Sequence, residues 1–244
     1  MTSGQISLDD SIQAERTARV PYKVYKRQQA AVSRRQLYPV TIFYSCFSIV
    51  LLRLAFRTVH PHTAIAFYLT GLPVWTFFEY LAHRYVLHFP YFRTSRKMYK
   101  RLILEFMSRF HWQHHLRPCD GEHINGELRD LLPMFAVTAP LSFLFPRFTA
   151  PMFLAGITQA YVVEEWIHHS VHFYNFRGRY FTYIKKHHFY HHTSPGNKLG
   201  YGLTSGFWDR VFMTSYPKHV RERLYGRKEF RQNTEQLLSL KRSR

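Results

Sequence analysis

Apolar residues dominate four stretches of the chain, about 40–56, 64–82, 131–145 and 148–163, and the last continues in mixed form to His172. Each is near the lower limit of the roughly 17–25 residues that a helix needs to cross a bilayer. The third is short, so a pair of re-entrant helices is the alternative for the last two. Tight connections near 58–62 and 146–148 pair the runs into two helical hairpins. The pattern predicts an all-α, multi-pass integral membrane protein with about four transmembrane helices and a helical cap built from the polar stretches. The chain divides into an N-terminal arm over 1–39, a membrane-embedded domain over 40–218 and a tail over 219–244. An interfacial helix over 14–36 is expected within the arm.

Charge orients these runs. Arg16, Arg19, Lys23, Lys26, Arg27, Arg34 and Arg35 precede the first run, and Arg93, Arg96, Lys97, Lys100, Arg101, Arg109 and Arg117 follow the second. The stretch after His172 is basic as well, whereas only Arg57 and Arg147 mark the opposite turns. By the positive-inside rule both termini and the cap are cytosolic. The membrane is then the endoplasmic reticulum in a eukaryote or the inner membrane in a bacterium. Arg53, inside the first run, is the exception and is expected to snorkel or be buried in the bundle.

The mean hydropathy of −0.30 averages apolar runs against very basic segments, so local windows carry the information. A net charge of +19 raises the question of nucleic acid. No nucleic-acid motif accompanies the basic residues, and their place beside apolar runs favours an anionic membrane surface instead. Cys46 lies in an apolar run and Cys119 in a basic stretch, which argues against a disulfide. The first 39 residues lack the apolar region of a cleavable signal peptide.

Four clusters of histidine carry the chemistry: H83-R-Y-V-L-H88, H111-W-Q-H114-H115, H168-H-S-V-H172 and H188-F-Y-H191-H192. Residues three and four apart share a helix face, so each of the last three clusters can project its imidazoles together. His83 and His88 are five apart, about 140° round an ideal helix, and converge only if the winding there is irregular. Ten imidazoles are too many for one ion and suit two. Neutral imidazole favours iron, copper, nickel or zinc over hard ions, and zinc-finger spacing is absent. His60, His62, His123 and His219 are not expected as ligands. A metal-bound imidazole needs an acceptor for its other nitrogen. Glu79, four residues before His83, and Glu165, three before His168, are candidates for that duty, with His169, His187 and Asp209 as further supporting or substrate-facing residues.

With these motifs the chain resembles the fatty acid hydroxylase/sterol desaturase superfamily of membrane di-iron enzymes over roughly 64–214. The resemblance includes the stretch G-Y-G-L-T-S-G-F-W-D-R-V-F-M-T, which is similar to the superfamily's W-D-x-x-F-G-T ending with Met213 in place of Gly. The H-x-x-x-H of His168 and His172, and the run from His114 through Pro118 to Asp120, resemble the fatty acid 2-hydroxylase branch. The resemblance implies ten ligands to two iron ions: His83, His88, His111, His114, His115, His168, His172, His188, His191 and His192. Zinc is able to replace iron in such a site. It also implies O2 as co-substrate and a membrane lipid acyl chain, a fatty acid or sphingolipid N-acyl chain, as the group hydroxylated, at C2. The cytochrome b5 domain often fused at the family's N-terminus is not seen, so electrons are expected from a separate donor such as cytochrome b5 or a ferredoxin. A sterol or carotenoid oxidase, or a desaturase, would share the metals. A metal transporter would instead place ligands near the bilayer midplane, away from the helix ends where these clusters lie.

Overall fold

The computed structural model describes residues 21–88 and 106–225. Of the expected basic segments, 1–20, the cluster at 93–101 and the tail beyond 225 lie outside the described residues. Among the described residues all regular structure is helical. The helices are α1 (Tyr22–Ala55), α2 (Pro61–Ala82), a π-helical turn over His83–Leu87, α3 (Phe106–Leu116), α4 (Leu128–Ser142), α5 (Ala150–Phe173), α6 (Arg179–His191), α7 (Phe207–Val211) and α8 (Lys218–Tyr225).

Both expected hairpins form. Pro61 opens α2 at its first position, where the missing N–H has no partner to lose, and Thr149 closes the second connection through its hydroxyl on the Pro146 carbonyl at 2.7 Å. α1 differs from expectation at its start. Within the described residues the expected interfacial helix is not separate from the first run: α1 passes unbroken from Tyr22 through Pro39, and 14–20 lie outside the described residues. Its early turns are packed rather than free, because Ala30, Ser33 and Leu37 are buried and Gln29 Oε1 accepts the Gly121 N–H at 2.9 Å.

α1 and the continuous helix over Pro61–Leu87 are long and apolar enough to cross a membrane. α4, with 15 residues and Pro133 and Pro140 inside it, reaches about 22 Å at 1.5 Å per residue, short of a ~30 Å hydrocarbon core. α5 has 24 residues but carries Glu164 and Glu165, both buried. It packs along both α1 and α2, so its polar groups are shielded by protein. Two glycines let α2 and α5 approach: a Cβ on Gly156 would lie 2.1 Å from the Tyr68 carbonyl oxygen, and one on Gly71 2.5 Å from that of Phe153. Close backbone approach through small residues is the ordinary way helices associate in lipid. At the end far from the histidines, Leu51, Ala55, Ala64, Met152 and Ala155 form a buried core.

Candidate metal centre

The ten histidines expected as ligands gather at one end of the bundle, in two groups. His83, His88, His111, His115 and His191 form one, and His114, His172, His188 and His192 the other; within each, one nitrogen per ring lies within 4.8 Å of all the rest. His168 joins the second group through its Nε2, 3.1 Å from that of His114 and 3.2 Å from that of His188.

Local winding explains who goes where. The His88 N–H bonds the His83 carbonyl at 3.1 Å, an i→i+5 bond, and this π turn brings the two rings to 5.0 Å between centroids. π turns of this kind recur at functional sites. On α3 the cluster does not project as one set. His111 and His115, at i and i+4, meet at 4.7 Å, whereas His114 turns towards the second group. α6 mirrors this, with His188 and His192 paired at 4.5 Å and His191 sent to the first group. Each helix therefore serves both groups, and the stacked rings of His115 and His192, 4.3 Å apart, mark the junction.

The packing of nitrogens fits a cation. His111 Nε2 lies 3.1 Å from that of His83, 3.1 Å from that of His88 and 3.0 Å from that of His115. His188 Nε2 lies 2.8 Å from that of His172 and 2.9 Å from that of His192. A neutral imidazole nitrogen carries one proton or one lone pair, so hydrogen bonds alone do not satisfy such crowding. Spacings near 3 Å do suit donor atoms held at the usual metal–imidazole distance of about 2.1 Å. Burial, reinforced by neighbouring imidazoles, holds His111, His114 and His188 well below the ordinary histidine pKa. Burial also lowers His191 to about 4 and His88 to about 3. The rings are thus neutral, which is the ligand form.

Two of the far nitrogens are held by backbone, not by the glutamates expected to do so, whereas Nδ1 of His114, His172 and His192 is buried without a hydrogen-bond partner. His83 Nδ1 bonds the Tyr201 carbonyl at 2.5 Å and His191 Nδ1 the Leu199 carbonyl at 2.7 Å. Glu79 acts one step further out. Its carboxylate accepts the Leu203 and Thr204 N–H groups at 2.5 and 2.9 Å and the Thr204 hydroxyl at 2.6 Å, so it anchors the loop rather than a ring. Asp209 does likewise, accepting from the Tyr201 and Gly202 N–H groups at 2.8 and 2.9 Å and from the Thr214 hydroxyl at 2.8 Å. Burial alone would raise the Asp209 pKa, but the His187 contact and these donors bring it below its usual value. Glu165 is buried with one oxygen unpartnered, as is the nearby Tyr161 hydroxyl.

His169 and His187 face away from both groups. His169 Nδ1 meets the Ser33 hydroxyl at 2.7 Å, tying α5 to α1. His187 Nδ1 meets the Tyr225 hydroxyl at 2.9 Å, and its Nε2 stands 3.4 Å from Asp209. Of the histidines not expected as ligands, His123 pairs with Asp120 at 3.1 Å and His60 rests on Phe148 at the far end. The loop carbonyls of Leu199 and Tyr201 escape sequence reading because a backbone acceptor leaves no residue type behind. The only trace is the glycine pair around Tyr201; Gly200 has φ +65°, and a Cβ there would strike the Tyr216 ring.

The chain is similar to known proteins of one family. The fatty acid hydroxylase family model matches residues 68–214. The ceramide very long chain fatty acid hydroxylase scs7 of Schizosaccharomyces pombe is 31% identical over 63% of this chain and 43% of its own length. The fatty acid 2-hydroxylase of Rattus norvegicus is 30% identical over 64% of this chain and 41% of its own. A dihydroceramide fatty acyl 2-hydroxylase of Arabidopsis thaliana is 32% identical over 59% of this chain and 58% of its own. The chain thus spans less than two thirds of these relatives. A solved structure of full-length scs7p, with only its hydroxylase domain visible, superposes with a TM-score of 0.65 at 25% identity, over 74% of this chain and 67% of that one. The chain belongs to the fatty acid hydroxylase family, on its 2-hydroxylase branch.

Proposed function

We propose that this protein is a membrane di-iron oxygenase that hydroxylates a lipid acyl chain at C2, using O2 and electrons from a separate donor protein. The observation that carries the reading is the convergence of ten buried or half-buried imidazoles from four segments into two adjoining groups. The ten histidines are the ligands, His83, His88, His111, His115 and His191 to one ion and His114, His168, His172, His188 and His192 to the other. A saturated C–H bond offers no acid or base handle, and bound iron would supply the dioxygen chemistry that such a bond requires.

The protein's own part is positional. The Tyr201 and Leu199 carbonyls accept the Nδ1 protons of His83 and His191, which turns each Nε2 lone pair inward. Glu79 and Asp209 keep that loop in place. Burial keeps the rings neutral and excludes water from the centre. α1, α2, α4 and α5 supply the membrane part, with α4 and α5 completing a second hairpin behind the two long helices. The clusters and both termini face the cytosol, in the endoplasmic reticulum or a bacterial inner membrane. The substrates named for the relatives, ceramide and dihydroceramide acyl chains, support a sphingolipid or free fatty acyl substrate here.

Lipid mass spectrometry of cells expressing the chain tests the reading, with His191→Ala as control. A gain of one oxygen on an acyl chain, absent in the variant, is expected. A loss of two hydrogens would make the protein a desaturase, and no change in lipids together with metal flux would make it a transporter.

A further inference from the structure

The short helix α7 is amphipathic the wrong way round for a protein surface. Its acidic residue, Asp209, is 1% exposed, while Phe207 is 57%, Val211 51% and the following Met213 90% exposed. Exposed apolar residues at this density mark a contact with something apolar. Its depth says what that something is. The Trp208 indole N–H donates to the Thr76 hydroxyl of α2 at 2.9 Å, and Phe212 stacks on Tyr80 at 5.2 Å. Thr76 lies seven residues before His83, about 10 Å down the axis of α2 at 1.5 Å per residue. The outer face of α2 carries the exposed Phe78 at this level, and Phe77 links it to Trp208 at 4.9 Å. The face of α7 thus continues the apolar surface of a helix that is long enough to span a bilayer. The one exposed charge on α7 is Arg210.

We propose that the segment Phe207–Met213 is a membrane-inserted wedge, with Phe207, Val211 and Met213 in contact with lipid acyl chains. The proposal rests on the reading of α1 and α2 as bilayer-spanning. Its interest lies in what the buried side of the wedge touches: Asp209 holds the Tyr201–Gly202 backbone, and the Tyr201 carbonyl holds His83. Bilayer contact and the first histidine group are therefore joined by two hydrogen-bonded steps.

The test uses the full chain with Cys46→Ser and Cys119→Ser, carrying either Met213→Cys or, as reference on α1, Ile49→Cys. Each single cysteine is labelled with an environment-sensitive fluorophore and reconstituted in phosphatidylcholine vesicles. Acyl-chain bromines should quench the label at 213 several-fold more than aqueous iodide does, as they do at 49. Quenching at 49 by bromines but at 213 by iodide, or by neither, would overturn the wedge while leaving the spanning reading intact. Iodide quenching at both positions would overturn both.

Discussion

Met213, the residue that stands where the resembled motif ending has glycine, has a measurable consequence. Its φ of 56° is left-handed, a conformation that costs a side-chain-bearing residue about 1–2 kcal/mol. The turn survives because Thr214 N–H bonds the Asp209 carbonyl at 2.8 Å and Gly200 N–H bonds the Thr214 carbonyl at 2.9 Å. Met213→Gly should therefore stabilise the protein by about 1 kcal/mol, read as a raised Tm in detergent. Asp209 works in the opposite sense. Asp209→Asn leaves a buried N–H without its acceptor, and a loss of about 1–3 kcal/mol is expected by thermal unfolding. The loop it releases carries the Tyr201 carbonyl, so retained metal should fall too. The motif marked Asp209 for attention, but not that it would serve backbone groups rather than one of the ten clustered rings.

Between elements, the crossing of α2 and α5 decides whether the site forms. α2 delivers His83 and His88, and α5 delivers His168 and His172, so the spacing of these helices sets the distance between the groups. Gly156→Val places a Cβ 2.1 Å from the Tyr68 carbonyl oxygen and forces the helices apart. Metal content per chain should drop sharply although no histidine has changed, and elemental analysis of purified protein measures it. The π turn belongs to this scale as well. The five-residue spacing of His83 and His88 announced a difficulty for a regular helix, and the i→i+5 bond resolves it. α4 shows the opposite case: apolar composition suggested a crossing, but its two prolines and 15 residues leave it short.

Across the whole molecule, the neutral histidines impose a pH dependence. The ordinary imidazole value is about 6.5, whereas burial lowers His191 to about 4 and His88 to about 3 in the fold. As pH falls below about 6.5 the unfolded chain binds protons that the folded chain refuses, so stability declines. The decline continues until the folded values are reached. Denaturant titrations of metal-free protein between neutral pH and pH 5 should show steadily lower midpoints; a flat profile would mean that the rings titrate freely. Bound metal should steepen the dependence, since protons compete for the same nitrogens.

Residue types and their spacing were enough to foresee an all-helical chain, the short connections between successive apolar helices and the identity of the ten histidines that gather. Those features are local: periodicity, hydropathy and i,i+4 geometry act within a turn or two of helix. The division of α3 and α6 between two groups was settled only when the helices packed, because rotation about a helix axis depends on its neighbours. The Tyr201 carbonyl as a partner of His83, and Glu79 as the anchor of the Leu203–Thr204 backbone, likewise came from tertiary structure, since hydrogen bonds spanning 118 and 124 residues have no signature in either partner's surroundings.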